Sequence, residues 1–160
     1  MIGTPSVANA DTTADVSDRI GREPQSCANA VPVNSPGAAQ RQATDTGCGE
    51  IPVVDTADQL IGVVTDRDIV CRIVAEGKNP MGHTAEECMS RSVVTVDPET
   101  PLEEVIATME KHQIRRVPVV ANGGCCAGII SQADLARSGP EHEVAELVRE
   151  VSQETGRGWR

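Results

Sequence analysis

A chain of 160 residues is long enough for one ordinary domain or two very small ones, with roughly 70% of its unfolded surface available for burial in a core. A net charge of −10 excludes affinity for nucleic acid driven by neutralised phosphates and attraction to anionic membrane surfaces, and with no Phe, no Tyr and a single Trp, Trp159, there is no platform on which bases stack. The first residues carry neither a basic leader nor an unbroken apolar run, and no stretch approaches the roughly 20 apolar residues of a membrane span, so a cytoplasmic chain is expected.

In chain order, residues 1–18 are Ala, Thr, Ser and Asp with isolated hydrophobes, the composition of a disordered tail. Pro24 to Ala28 reads as a short strand, and Ser35-Pro36 opens a helix to about Asp45. Ile51-Pro52-Val53-Val54 and Leu60-Ile61-Gly62-Val63-Val64 read as a β-hairpin. Thr65 then starts a helix carrying Ile69, Val70, Ile73 and Val74, which Gly77 ends. Residues 78–88 link this first half, 19–77, to a second, 89–153.

There the pattern restarts. Ser92 to Val96 is a predicted strand, and Thr100-Pro101-Leu102-Glu103 has the spacing of a capping box for a helix with Leu102, Val105, Ile106 and Met109 on one face. Val117 to Val120 and Ala127 to Ile130 form the next hairpin around Asn122-Gly123-Gly124. Gln132 to Arg137 is a short helix, Gly139-Pro140 interrupts it, and a last helix runs from Glu141 to about Gln153 before a frayed tail at 154–160. Each half reads βαββα, an α+β fold whose halves must pack on one another about a pseudo-twofold axis to bury their sheets.

The halves are copies. One constant offset carries Ile51-Pro52-Val53-Val54 onto Val117-Pro118-Val119-Val120, and Gly62-Val63-Val64-Thr65-Asp66-Arg67-Asp68 onto Gly128-Ile129-Ile130-Ser131-Gln132-Ala133-Asp134. In each, a hydroxyl residue is followed three later by a carboxylate at the start of a helix. That is an N-cap arrangement, worth about 1 kcal/mol. It is also a carboxylate able to accept from two adjacent ribose hydroxyls, beside helix amides that favour an anion.

These motifs resemble a tandem pair of CBS domains, the repeat named after cystathionine β-synthase, which together make a Bateman module. The resemblance spans about residues 20 to 153. It implies a regulatory module, not an enzyme, that binds adenosine-containing ligands such as AMP, ADP, ATP, NAD or S-adenosylmethionine between its repeats and signals by a conformational or dimer change. It implies a homodimer, an effector protein elsewhere, and an adenine nucleotide or NAD as regulatory ligand in place of any catalytic cofactor. Carried over residue by residue, Asp68 and Asp134 hold the ribose, Thr65 and Ser131 lie near phosphate, and the base sits against Ile51 and Pro52 or Val117 and Pro118, with Cys27 or Val93 at the start of each repeat.

The halves differ where a phosphate would enter. Arg115-Arg116 in the second stands where the first has Gly49-Glu50, so Coulomb attraction favours the Ser131/Asp134 site for an anion. Gln40 replaces Ile106, which makes the first pocket looser. Arg67 is a further phosphate candidate, or a solvated surface residue.

Two other functions compete. One is a structural or interaction module without a ligand, in which Thr65 and Ser131 serve only as caps. The other is a thiol redox switch at Cys125-Cys126. His83, Glu86, Glu87 and Cys88 resemble metal ligands in type but not in spacing, His112 reads as a surface residue, and no nucleophile, base and orienting group come together.

Overall fold

The computed structural model describes residues 30–46, 49–121, 123–138 and 141–152. The predicted strand at Pro24 to Ala28, with Cys27, lies outside them. The first half consists of β1 (Val31–Pro32), α1 (Ala38–Thr46), β2 (Glu50–Val54), β3 (Leu60–Thr65) and α2 (Asp66–Arg72). The second consists of α3 (Leu102–His112), β4 (Arg116–Val120), β5 (Cys126–Ser131) and α4 (Gln132–Ser138), followed by α5 (Glu141–Val151).

The β-branched runs expected to pair do so as antiparallel hairpins. β2 pairs with β3 from Glu50 opposite Thr65 to Val54 opposite Leu60, and β4 pairs with β5 from Arg116 opposite Ser131 to Val120 opposite Cys126. Both ladders break register at the equivalent step, Val53/Val54 and Val119/Val120, so the repeat extends to its irregularities. β1 adds to β2 in parallel, giving a three-stranded sheet in the order β1-β2-β3.

The predicted strand Ser92 to Val96 contracts to one bridge. Val96 pairs in parallel with Val119, its N–H donating to the Pro118 carbonyl at 3.1 Å and its carbonyl accepting from the Val120 N–H at 2.9 Å. The next rung toward Val94 would need an N–H from Pro118, which has none, so the ladder stops there. The predicted capping box at Thr100 is likewise absent. Pro101 is the N-cap of α3, with ψ 144, and the Thr100 hydroxyl instead accepts from the Asp97 N–H at 3.0 Å, closing the preceding turn.

Each half has its own core. The first gathers Ile51, Val53 and Val64 from the sheet, Ile69 and Ile73 from α2 and beyond, and Ala85, Cys88 and Met89 from the connecting segment. That segment is held by two 3₁₀ turns, Pro80–Gly82 and Ala85–Glu87. α2 itself stops at Arg72; a further 3₁₀ turn, Val74–Glu76, carries the chain to the left-handed Gly77, φ 75°. The second core joins Val105, Ile106 and Met109 of α3 to Val117, Val119 and Ile130, and α5 covers it with Val144, Leu147 and Val151. Gln40 of α1 is half-buried where its counterpart Ile106 is buried.

The halves meet along a seam. Val54, which closes β2, and Cys126, which opens β5, are buried together with Leu60, the repeat counterpart of Cys126, packed against them, and the Leu60 N–H donates to the Gly124 carbonyl at 2.9 Å. Among the described residues no helix is long and apolar enough to cross a membrane.

Candidate functional site

Each hairpin delivers its hydroxyl residue to a helix start. In the first half, Thr65 ends β3 in an extended conformation, φ −107° and ψ 160°, and caps α2. Asp68 Oδ2 accepts from the Thr65 N–H at 2.9 Å and from its hydroxyl at 2.6 Å, while the Asp68 N–H donates to Thr65 Oγ1 at 3.1 Å. In the second half Asp134 Oδ2 accepts from the Ser131 N–H at 2.9 Å and its hydroxyl at 2.6 Å, and the Asp134 N–H donates to Ser131 Oγ at 3.3 Å. The two constellations match bond for bond.

An arginine completes each of them, and the motif reading missed both. Arg72 pairs with Asp68 Oδ1 at 3.2 Å, and Arg137 pairs with Asp134 Oδ1. The spacing of four and three residues along a helix is the signal that would have found them. Arg72 does more than its counterpart. Its guanidinium donates to the carbonyls of Cys88 at 2.5 Å and Met89 at 2.8 Å and to Ser90 Oγ at 3.2 Å, tying α2 to the connecting segment.

The carboxylates differ in access. The Asp68 side chain is 15% exposed and that of Asp134 48%. Burial raises the Asp134 carboxyl, but its two hydrogen bonds from Ser131 and the neighbouring Arg137 outweigh that and hold it below the usual carboxylate range.

The remaining predicted site residues fall into three groups. Ile51, Pro52, Val117 and Pro118 are fully buried, one and two rungs along the ladders from the ends of the hairpins, and form the apolar support beneath Thr65 and Ser131. Val93 is half-buried in the extended stretch before Val96. The arginines separate: Arg115 is exposed and its carbonyl accepts from the Gln132 N–H at 2.9 Å, and Arg67 lines an open groove of about 260 Å³ with Asp66, Val70 and Cys71. Arg116 reaches across the seam, its guanidinium lying over the backbone of Gly49 in the first half.

That contact brings in Glu50, a residue noted in the sequence only as the counterpart of Arg116. Glu50 stands opposite Thr65 in the ladder, as Arg116 stands opposite Ser131. Burial pushes its carboxyl up to about 7 against the attraction of Arg116, and the negative charge of Asp68 adds to the rise.

The other candidate groups are engaged elsewhere. His83 Nδ1 lies 2.9 Å from Glu87 Oε1, Glu86 pairs with Arg91 at 2.8 Å, and Cys88 is buried with its Sγ turned to backbone carbonyls. Among the described residues no three His, Cys, Asp or Glu side chains converge on a metal position. Cys125 is exposed and Cys126 buried, as successive residues of an extended strand point to opposite faces. His112 is exposed on the last turn of α3.

The family model for the CBS domain matches residues 35–75 and 85–141. Hypoxic response protein 1 of Mycobacterium tuberculosis is 37% identical over 114 residues, 71% of this chain and 79% of that one. The crystal structure of Hypoxic Response Protein I with two coordinated zinc ions gives a TM-score of 0.67 at 31% identity, covering 79% of this chain and 100% of the other. The CBS domain pair of protein MJ0100, in complex with 5′-methylthioadenosine and S-adenosyl-L-methionine, gives a TM-score of 0.65 at 28% identity, covering 78% and 94%. CBS domain protein PAE2072 from Pyrobaculum aerophilum, complexed with AMP, shares the fold with a TM-score of 0.66 at 23% identity, covering 85% and 99%.

Proposed function

Because this chain belongs to the CBS domain family, with the family model matching both of its halves, we propose that it is a regulatory module whose two repeats bind adenosine-containing ligands such as AMP, ADP, ATP or NAD. The observation that carries the proposal is the bond-for-bond match of Thr65/Asp68 and Ser131/Asp134 at equivalent strand-to-helix junctions. A capping box accounts for the hydroxyl that accepts from the helix and for the carboxylate that accepts from the cap's N–H. Here each carboxylate also has an arginine beside it, and so is fixed in place and preorganised to accept from a pair of ribose hydroxyls. Relatives of the same fold hold AMP, 5′-methylthioadenosine or S-adenosyl-L-methionine, which supports this ligand class.

The Ser131/Asp134 site is the stronger of the two in this proposal. Its carboxylate is three times as open as that of Asp68, so a ribose reaches it with less rearrangement. Binding would act by favouring one arrangement of the two halves, a difference in affinity between states and not a chemical step, in a cytoplasmic homodimer read by a separate effector. Val70 and Val74, 54% and 47% exposed, give α2 and the turn after it an apolar outer face that a second copy would cover.

Native mass spectrometry of the purified protein, followed by thermal unfolding with and without AMP, tests the proposal. Ligand at about a hundred times its Kd should stabilise the fold by about 2.7 kcal/mol. No adenosine ligand retained and no rise in melting temperature would leave Thr65 and Ser131 as helix caps only.

A further inference from the structure

Two residues at equivalent positions of the repeat carry opposite charge and meet at the seam. Glu50 opens β2 and stands opposite Thr65; Arg116 opens β4 and stands opposite Ser131. The Arg116 guanidinium does not stay with its own half. A Cβ added to Gly49 would lie 3.2 Å from one of its terminal nitrogens and 3.5 Å from the other, so the guanidinium lies over the chain just before Glu50, in close contact with the backbone there. Among the described residues neither the Glu50 carboxyl nor the Arg116 guanidinium has a hydrogen-bond or ion-pair partner. The other charge acting on Glu50, Asp68 on α2, is bound by Thr65 and Arg72.

A guanidinium without a hydrogen-bonded partner invites an anion. At the first-half site, however, that anion arrives next to Glu50. The groups facing Glu50 are Arg116 from β4, Asp68 from α2 and the uncharged Thr65 from β3; Arg72 offsets Asp68, so with Glu50 ionised the charge of Arg116 is already matched. A phosphate would add negative charge with no cation left to offset it, in a half-buried setting where repulsion is screened far less than on the surface.

We propose that Glu50 makes the Thr65/Asp68 site a proton-coupled selector: a phosphate-bearing ligand enters beside Arg116 only as Glu50 takes up a proton, whereas an uncharged nucleoside enters without one. The inference rests on the adenosine-ligand reading above and adds to it the charge class each site accepts. Glu50 is already poised for this, since burial holds its carboxyl near neutrality in the free protein. The second site has arginines and no carboxylate at the equivalent strand start, Arg115-Arg116, and carries no such requirement even with the Arg116 guanidinium turned to the first half.

The test is calorimetric titration of AMP and of adenosine into the full chain at pH 8, each in two buffers of different ionisation enthalpy, so that protons taken up on binding are counted directly. AMP is fully dianionic at this pH, its second phosphate ionisation lying near 6. AMP filling both sites should take up close to one proton per chain, and adenosine none. The weaker AMP site should lose about fivefold in affinity from pH 7 to pH 8 and about tenfold for each unit above. Glu50→Gln, close in size and hydrogen-bonding shape, should abolish the uptake and flatten the pH dependence. AMP binding without proton uptake, uptake that survives in Glu50→Gln, or equal uptake for adenosine would each overturn the inference while leaving the adenosine reading intact. Failure of both AMP and adenosine to bind would overturn the reading and the inference together.

Discussion

Asp68 Oδ2 accepts two hydrogen bonds from Thr65, from its backbone N–H at 2.9 Å and from its hydroxyl at 2.6 Å, and returns one from its own N–H to Thr65 Oγ1. Three bonds between two side chains and their backbones fix the first turn of α2. Thr65→Ala removes the hydroxyl from two of them and leaves Asp68 with a single N–H from that residue. It should cost about 1 to 2 kcal/mol of stability, read from urea unfolding, and Thr65→Ser should recover most of it. Ser131→Ala should cost less, because Asp134 is more exposed.

Binding should respond in the opposite order. Asp134→Ala should weaken AMP binding by tenfold or more, corresponding to loss of charge-assisted hydrogen bonds to the ribose, and Asp68→Ala should weaken it less. Isothermal titration of both variants checks this, and a larger loss from Asp68→Ala would reverse the proposed ranking of the sites.

Glu50 predicts a pH-dependent stability with a definite sign. Its carboxyl titrates near 7 in the folded chain and near 4.5 when unfolded, so the folded state holds the extra proton between these values. The wild type therefore loses stability as pH rises from 4.5 to 7, and the loss is complete above 7. Glu50→Gln removes this loss. The variant should gain about 1 to 3 kcal/mol over wild type at pH 8, the lower end allowing for solvent screening, and nothing below pH 4.5. Melting curves across pH 4 to 8 measure it.

Gly62 is required by a close approach of chain. A Cβ at this position would lie 2.6 Å from Met89 Sδ and 3.0 Å from the Ser90 carbonyl, and the Val63–Ser90 pair of backbone hydrogen bonds, 3.0 and 2.8 Å, holds the segment there. Gly62→Ala should destabilise by about 1 to 3 kcal/mol through overpacking. Gly82→Ala, with open space around its Cβ, is the control.

If α2 carries the dimer surface, Val70→Asp should convert the dimer to monomer in sedimentation analysis without lowering the melting temperature, since Val70 is 54% exposed and outside the core. An unchanged sedimentation coefficient would move the interface elsewhere.

Local chemistry was legible from the residues alone. The two hairpins, the Thr65 cap, the left-handed turn at Gly77 and the apolar face of α3 depend on neighbours within a few positions, where spacing and residue type decide the outcome, although the helix before Gly77 stops at Arg72. So did the duplication, because the same local solution was written twice. Errors arose where a residue outside the local pattern denied or took a group that the pattern had claimed. Pro118 denied the Ser92 to Val96 stretch its second rung, and Asp97 drew the Thr100 hydroxyl away from α3.

Charge at the seam was the part that only tertiary packing settled. Arg115-Arg116 and Gly49-Glu50 are visible as unlike pairs at equivalent positions, and the sequence places each pair with its own half. Folding lays Arg116 over Gly49 instead and half-buries Glu50 beside it, because the strand starts of the two repeats converge when the halves close on one another. Burial and long-range electrostatics have no signature in spacing. They follow from which surfaces meet, and in this chain they decide how each of two nearly identical ribose motifs would treat a negative charge.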